Sequence, residues 1–196
     1  MNKHSLKFVK SVKFSLDNLD IKKIDKIKSL ISKVQKNKGR IFFLGVGGSA
    51  ANASHAVNDF RKICNIECYS PTDNISELTA RINDEGWDTS YLEWLKVSNL
   101  NAKDLIFIFS VGGGSISKNI SMNLIKSINY AKLKNAKICG IIGKKEGYLN
   151  KYYSESTLVI KTDNKKFITP IVESFQSIIW HLLVSDTSIS IHKTKW

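Results

Sequence analysis

Two glycine-rich turns and a few acids and imidazoles are the parts of this 196-residue chain that could do chemistry. In Arg40-Ile41-Phe42-Phe43-Leu44-Gly45-Val46-Gly47-Gly48-Ser49-Ala50-Ala51 an apolar run enters a glycine turn, and the turn opens a helical pattern. Such a junction attracts anions, because unpaired backbone N–H groups and the positive helix end converge there. Leu105-Ile106-Phe107-Ile108-Phe109-Ser110-Val111-Gly112-Gly113-Gly114-Ser115 repeats the arrangement. Two such turns suggest a cleft for a phosphorylated small molecule. Its phosphate would meet Ser49, Ser110 and Ser115 and the backbone N–H groups of Ala50, Ala51, Val111 and Gly112. Helix capping is the plain reading of the serines, and capping and binding can coexist. Downstream of the first turn, His55 and Asp59 are spaced i, i+4 and share one helix face. That spacing suits a shared metal or a hydrogen-bonded pair; taken alone, it favours an ordinary helix face with a solvated Asp.

The elements that must position these residues follow from periodicity. Residues 5–37 read as helical, with Ile21, Ile24, Ile27, Leu30, Ile31 and Val34 at helical spacing and Asn37-Lys38-Gly39 as a stop. Strands are expected at 40–44, 66–69, 105–109, 138–142 and 158–160. Helices are expected at about 48–63, at 75–82 and 89–97 around a loop at Asn83-Asp84-Glu85-Gly86, and from the second turn to about 134. The last helix begins after Thr169, with Pro170 in its first turn, and ends near Ser185; His192 to Trp196 read as an end free to fray. Apolar strands alternating with helices predict a mostly parallel sheet covered on both faces, with ligands at the carboxyl ends of the strands. The length suits one domain, and no linker or repeat interrupts it.

Composition narrows the classes. The net charge of +13 raises the question of nucleic acid, but only Arg40, Arg61 and Arg81 are arginines and the lysines are dispersed. A solvated, lysine-rich surface that draws in anions is the better reading. Cys64, Cys68 and Cys139 cannot all pair, and Cys64 and Cys68 lack the partners of a structural zinc site. All three read as reduced packing residues. The apolar runs are shorter than a membrane span, and the first residues lack an apolar signal core, so a cytoplasmic protein is expected. Gly45, Gly47 and Ala50 also match the dinucleotide fingerprint G-x-G-x-x-A, with Glu67 near the acidic position. That rival leaves the second turn and the His55/Asp59 pair unexplained, and the chain is short for a separate substrate domain.

The turn Gly45 to Ala51, the helix with His55, the segment Thr79-Ala80-Arg81-Ile82-Asn83-Asp84-Glu85-Gly86, the Ser110 turn and the helix Glu173…His181 stand in one order. Together, over about residues 20–186, they resemble the sugar isomerase (SIS) domain and, within it, the phosphoheptose isomerases. The resemblance implies an α/β fold, a three-layer αβα sandwich around a five-stranded parallel sheet of flavodoxin-like form, with residues 1–37 as an N-terminal helical segment. It implies a homotetramer with sites at subunit interfaces. The implied reaction interconverts D-sedoheptulose 7-phosphate and D-glycero-D-manno-heptose 7-phosphate, an entry into activated heptose for lipopolysaccharide or capsule. A SIS protein that binds a phosphosugar without turnover is the alternative, although no helix-turn-helix of a regulator is evident. Carried over by position, the resemblance makes His55, Asp59, Glu173 and His181 ligands of Zn2+, and Asp59 and His181 the proton-transfer pair. Glu173 would also face the substrate. Asn83 and Asp84 match a pair that contacts the sugar; otherwise they read as a turn. This chain departs from the pattern at Asp59 (a glutamate in the family), Glu173 (a glutamine), Val111 and Gly112 (threonine and serine) and Val46 (often asparagine). Two extra residues follow Ser115.

Overall fold

A computed structural model describes residues 3–193. Five strands, β1 (Arg40–Leu44), β2 (Glu67–Tyr69), β3 (Leu105–Ser110), β4 (Lys137–Ile142) and β5 (Thr157–Val159), form one all-parallel sheet in the order β2-β1-β3-β4-β5. The register sets Ile41 beside Leu105 and Leu44 beside Ile108. Every residue of β3 is buried, as a central parallel strand covered on both faces requires. The strand order reverses between β1 and β3, and both glycine turns leave the sheet there. Open α/β sheets take their ligands at such a crevice.

One face is covered by α2 (Ile21–Lys36), α3 (Gly48–Cys64) and α8 (Ile168–Ser185), which enclose Phe43, Phe107, Phe109, Phe175, Ile179 and Trp180. The other carries α5 (Trp87–Val97), α6 (Met122–Leu133) and α7 (Tyr148–Tyr153), whose Leu149 packs with Phe42, Ile106 and Ile108 of the sheet. Cys64, Cys68 and Cys139 are free and buried in the first layer; burial pushes the Cys64 thiol up to about 12 and raises the other two as well.

Several local expectations are corrected. The N-terminal helical segment is two helices, α1 (Lys3–Asp17) and α2, because Asp20 caps α2 by accepting from the Lys23 N–H at 3.2 Å. The expected loop at 83–86 is helical up to Glu85: α4 (Ile75–Glu85) passes to α5 through Gly86 alone, at φ +84°. Arg81 reaches back to Glu77 at 2.8 Å and forward to Glu85 at 3.3 Å, and these i, i+4 pairs hold the last turn of α4. Asn83 and Asp84 are therefore exposed helix residues. The short α7 has no counterpart in the sequence reading. The second glycine turn does not open a helix; residues 111–121 intervene, closed by a Ser115–Ile120 bridge, before α6 begins.

The stretch Lys165–Ser185 is long and apolar enough by composition to cross a membrane, at mean hydropathy 1.4. Half of it is buried in this fold, and α8 acts here as a core helix. Residues 194–196 of the expected fraying end lie outside the described residues. Ile191 and His192, by contrast, both donate backbone N–H bonds to the Ile63 carbonyl.

Candidate metal and substrate site

The site grows from the pairing of α3 with α8. The helices lie side by side, and polar residues stitch the start of α3 to the second and third turns of α8. Asn52 Nδ2 donates to the Glu173 carbonyl at 2.8 Å and to Gln176 Oε1 at 2.9 Å. Gln176 Nε2 donates to Ser49 Oγ at 3.1 Å. Gln176 and Ser49 are buried, and these bonds satisfy them where water is excluded. The seam fixes the register of one helix on the other. One turn further along, that register brings His55 and Asp59 of α3 up to His181 of α8.

These three form a compact cluster. Asp59 Oδ2 lies 3.6 Å from His55 Nε2 and 3.4 Å from His181 Nε2. One donor atom from each residue lies within 4.8 Å of the other two. Asp59 is buried, whereas the imidazoles are 56% and 51% exposed and open to a ligand. The Ser177 hydroxyl lies 3.4 Å from His181 Nδ1 and orients the ring so that Nε2 faces Asp59. Four ligands around a tetrahedral ion with bonds of about 2.0–2.1 Å stand about 3.3–3.5 Å apart. The two edges that meet at Asp59, 3.6 and 3.4 Å, come within about 0.1 Å of that spacing, and two histidines with one carboxylate leave a fourth position open. This group is able to hold a metal.

Glu173 is not part of it. It stands two turns before His181 on α8, about 12 Å along the helix axis at 1.5 Å per residue. A Cβ placed on Gly48 would fall 2.6 Å from Glu173 Oε2, so this carboxylate lies against the first residue of α3. Within one chain the compact group is therefore His55, Asp59 and His181, and Glu173 could join the same metal only from a second subunit. The carboxylate also places a negative charge of the protein's own at the positive end of α3.

The two glycine turns differ from expectation in where their donors point. The Ala50 and Ala51 N–H groups already donate to the Gly47 carbonyl, at 2.9 and 3.2 Å. The first-turn N–H groups of Gly48 and Ser49 have no partner within the helix. Gly47 adopts φ +62°, ψ −129°, a conformation open to glycine alone. Gly47→Ala is expected to cost about 1–3 kcal/mol in a thermal or urea unfolding experiment. In the second turn the Ser110 hydroxyl accepts the Gly113 N–H at 3.0 Å, the capping role. The Ser115 N–H donates to the Ile120 carbonyl at 3.0 Å, whereas its side chain borders a cavity of about 340 Å³ with Ser117, Tyr148 and Lys151. Val111 and Gly112 are half-buried, and a Cβ on Gly112 would meet nothing within 4 Å, so this turn is open to a ligand.

Comparison with known proteins identifies the arrangement's relatives. No protein-family model matches the chain. The phosphoheptose isomerase of Helicobacter pylori is 28% identical over 159 residues, spanning 79% of this chain and 77% of that protein. The structure of the phosphoheptose isomerase from Neisseria gonorrhoeae superposes with a TM-score of 0.78 at 19% identity, covering 93% of this chain and 94% of that one. This chain is an SIS-type relative of the phosphoheptose isomerases. The lincomycin biosynthesis protein LmbN of Streptomyces lincolnensis is 29% identical over 155 residues, but the chain spans only about half (54%) of its length. The likeness leaves the dinucleotide reading of the first turn without support, because Gly45, Gly47 and Ala50 now stand in a phosphoheptose-isomerase fold.

Sequence reading missed the groups around the cluster. Ser177, four residues before His181, could have been found from its spacing. Trp180, Asn52 and Gln176 carried no signal, because their partners lie 121 to 127 positions away in the chain.

Proposed function

We propose that the protein is a ketose–aldose isomerase of phosphosugars, acting on D-sedoheptulose 7-phosphate to give D-glycero-D-manno-heptose 7-phosphate. The observation that carries this is the His55–Asp59–His181 cluster, held between α8 and the helix α3 that the first glycine turn opens, in a fold shared with the phosphoheptose isomerases. The reaction moves one proton between C1 and C2 and one between the oxygens on them, through an enediolate. Asp59 takes the proton from C1 and returns it to C2. His181, through Nδ1, the ring nitrogen turned away from Asp59 and the metal, protonates O2 and then accepts the proton leaving the C1 hydroxyl, so the step is redox-neutral and every proton is returned. The buried Asp59 is held in place by its neighbours, and the exposed His181 ring is open to the substrate oxygens.

Zn2+ is the ion that the donor set suits, held by His55, Asp59 and His181; when bound, it supplies electrostatic stabilisation of the enediolate oxygens. The phosphate rests on the second turn, against Ser115 and the Val111 and Gly112 backbone, with Ser110 keeping that turn closed. Ser49 holds the helix seam, and Glu173 occupies the start of α3. The carboxylate at α3 directs the substrate's phosphate to the second turn and leaves its hydroxyls to face Glu173. Asn83 and Asp84 of α4 offer sugar contacts from an exposed helix.

We extend the reading to a cytoplasmic homotetramer with its sites at subunit boundaries. Exposed Val9 and Leu16 on α1 and Ile75 on α4 support it, and α4 buries none of its residues within its own chain. Chelation tests the metal. Stripping with a strong chelator is expected to abolish turnover, and added Zn2+ to restore it with about one ion per chain, read by elemental analysis. Full turnover in verified metal-free protein would refute the metal's role.

A further inference from the structure

Around Asp59 the structure holds more than a ligand set. Trp180 Nε1 donates to Asp59 Oδ2 at 2.9 Å, and Asn58 Nδ2 donates to Oδ1 at 3.0 Å. The indole is only 1% exposed and lies flat on Phe109, with centroids 6.0 Å apart and planes 22° apart. Its centroid is 5.2 Å from that of His55 and 4.9 Å from that of His181. One rigid ring, fixed by the β3 core, therefore touches all three members of the cluster.

We propose that Trp180 and Asn58 clamp the Asp59 carboxylate as positioning residues, so that Oδ2 alone is presented to the metal shared with His55 and His181. This rests on the reading of the cluster as a metal centre. A carboxylate offers about four lone-pair sites. The indole takes one on Oδ2 and leaves another on that oxygen for the ion. The Asn58 amide engages Oδ1 and opposes bidentate binding. Asp59 is thereby fixed in one orientation before the metal arrives, and the ordering cost at binding falls. Hydrogen-bond partners of metal ligands act this way, and their loss typically weakens metal affinity about 10–100-fold.

The test is zinc affinity, measured by competition with a chromophoric chelator, alongside the melting temperature of each metal-free variant. Trp180→Phe keeps an aromatic ring on Phe109 and removes the N–H. It is expected to bind Zn2+ about 10–100-fold more weakly. Asn58 is exposed, so Asn58→Ala folds whatever becomes of the core variant, and it is expected to weaken zinc about 10-fold. A merely structural tryptophan would lower the melting temperature and leave the affinity of the folded protein unchanged. Wild-type affinity in folded Trp180→Phe, or in Asn58→Ala should the former not fold, overturns the clamp. Failure of the wild-type protein to bind zinc overturns the metal centre itself, and the clamp with it.

Discussion

His181→Ala is expected to reduce isomerisation about 10²–10⁴-fold, the range for losing a positioned acid–base group, while the protein stays folded. The imidazole is 51% exposed, so its removal opens no cavity in the core. Its neighbours in α8, Trp180 and Leu183, remain packed against the sheet and keep the helix in place. What is lost is local: one donor of the three-residue cluster and the proton carrier nearest Asp59 on α8. Turnover and the unfolding curve, measured on the same preparation, check this. Near-normal turnover would remove His181 from the chemistry, and loss of the folded state would show that the side chain supports α8.

Asp104→Ala is expected to carry the largest stability cost, about 3–5 kcal/mol, the range for breaking one side of a buried ion pair. Asp104 is buried at the amino edge of the sheet, just before β3, and far from either glycine turn in the strand register. Its carboxylate accepts the Arg40 backbone N–H at 3.0 Å, the Arg40 guanidinium at 2.8 Å and the Asn101 N–H at 3.0 Å. These bonds tie the start of β1 to the turn before β3, and the carboxylate raises the Arg40 guanidinium above its ordinary value. Alanine leaves a half-buried guanidinium and two backbone donors without their acceptor. Urea unfolding measures the loss. A change below about 1 kcal/mol would mean that water replaces the carboxylate at little cost.

The sheet was legible in the sequence because parallel strands buried on both faces are written as uninterrupted apolar runs. β1 and β3 are such runs, and each ends at a glycine turn that marks the carboxyl edge. Helix boundaries were less legible. Residues 5–37 carry one continuous helical pattern, and only the Asp20 cap divides it. Asn83-Asp84 has turn chemistry, but the two ion pairs of Arg81 hold it in a helix. For the site, His55 and Asp59 were readable as neighbours from their spacing. His181 entered only through likeness to the phosphoheptose isomerases, since nothing local marks a histidine between Trp180 and Leu182. Glu173 shows the limit of that likeness. Likeness assigned it to the metal, although about 12 Å of helix rise separates it from His181 unless two subunits share the ion; within one chain its carboxylate lies against Gly48. Trp180 shows the limit of sequence reading itself. Its bond to Asp59 crosses 121 positions and exists only because the Asn52–Gln176–Ser49 seam fixes α8 on α3.

The cluster is proposed to isomerise a heptose phosphate. The most direct measurement is NMR of D-sedoheptulose 7-phosphate incubated with the protein, with and without Zn2+, in deuterated water. The expected result is zinc-dependent appearance of the aldose, with deuterium entering at C2. Binding of the sugar phosphate without aldose or deuterium exchange in either condition would contradict it, and would mark the chain as a phosphosugar-binding protein that performs no proton transfer.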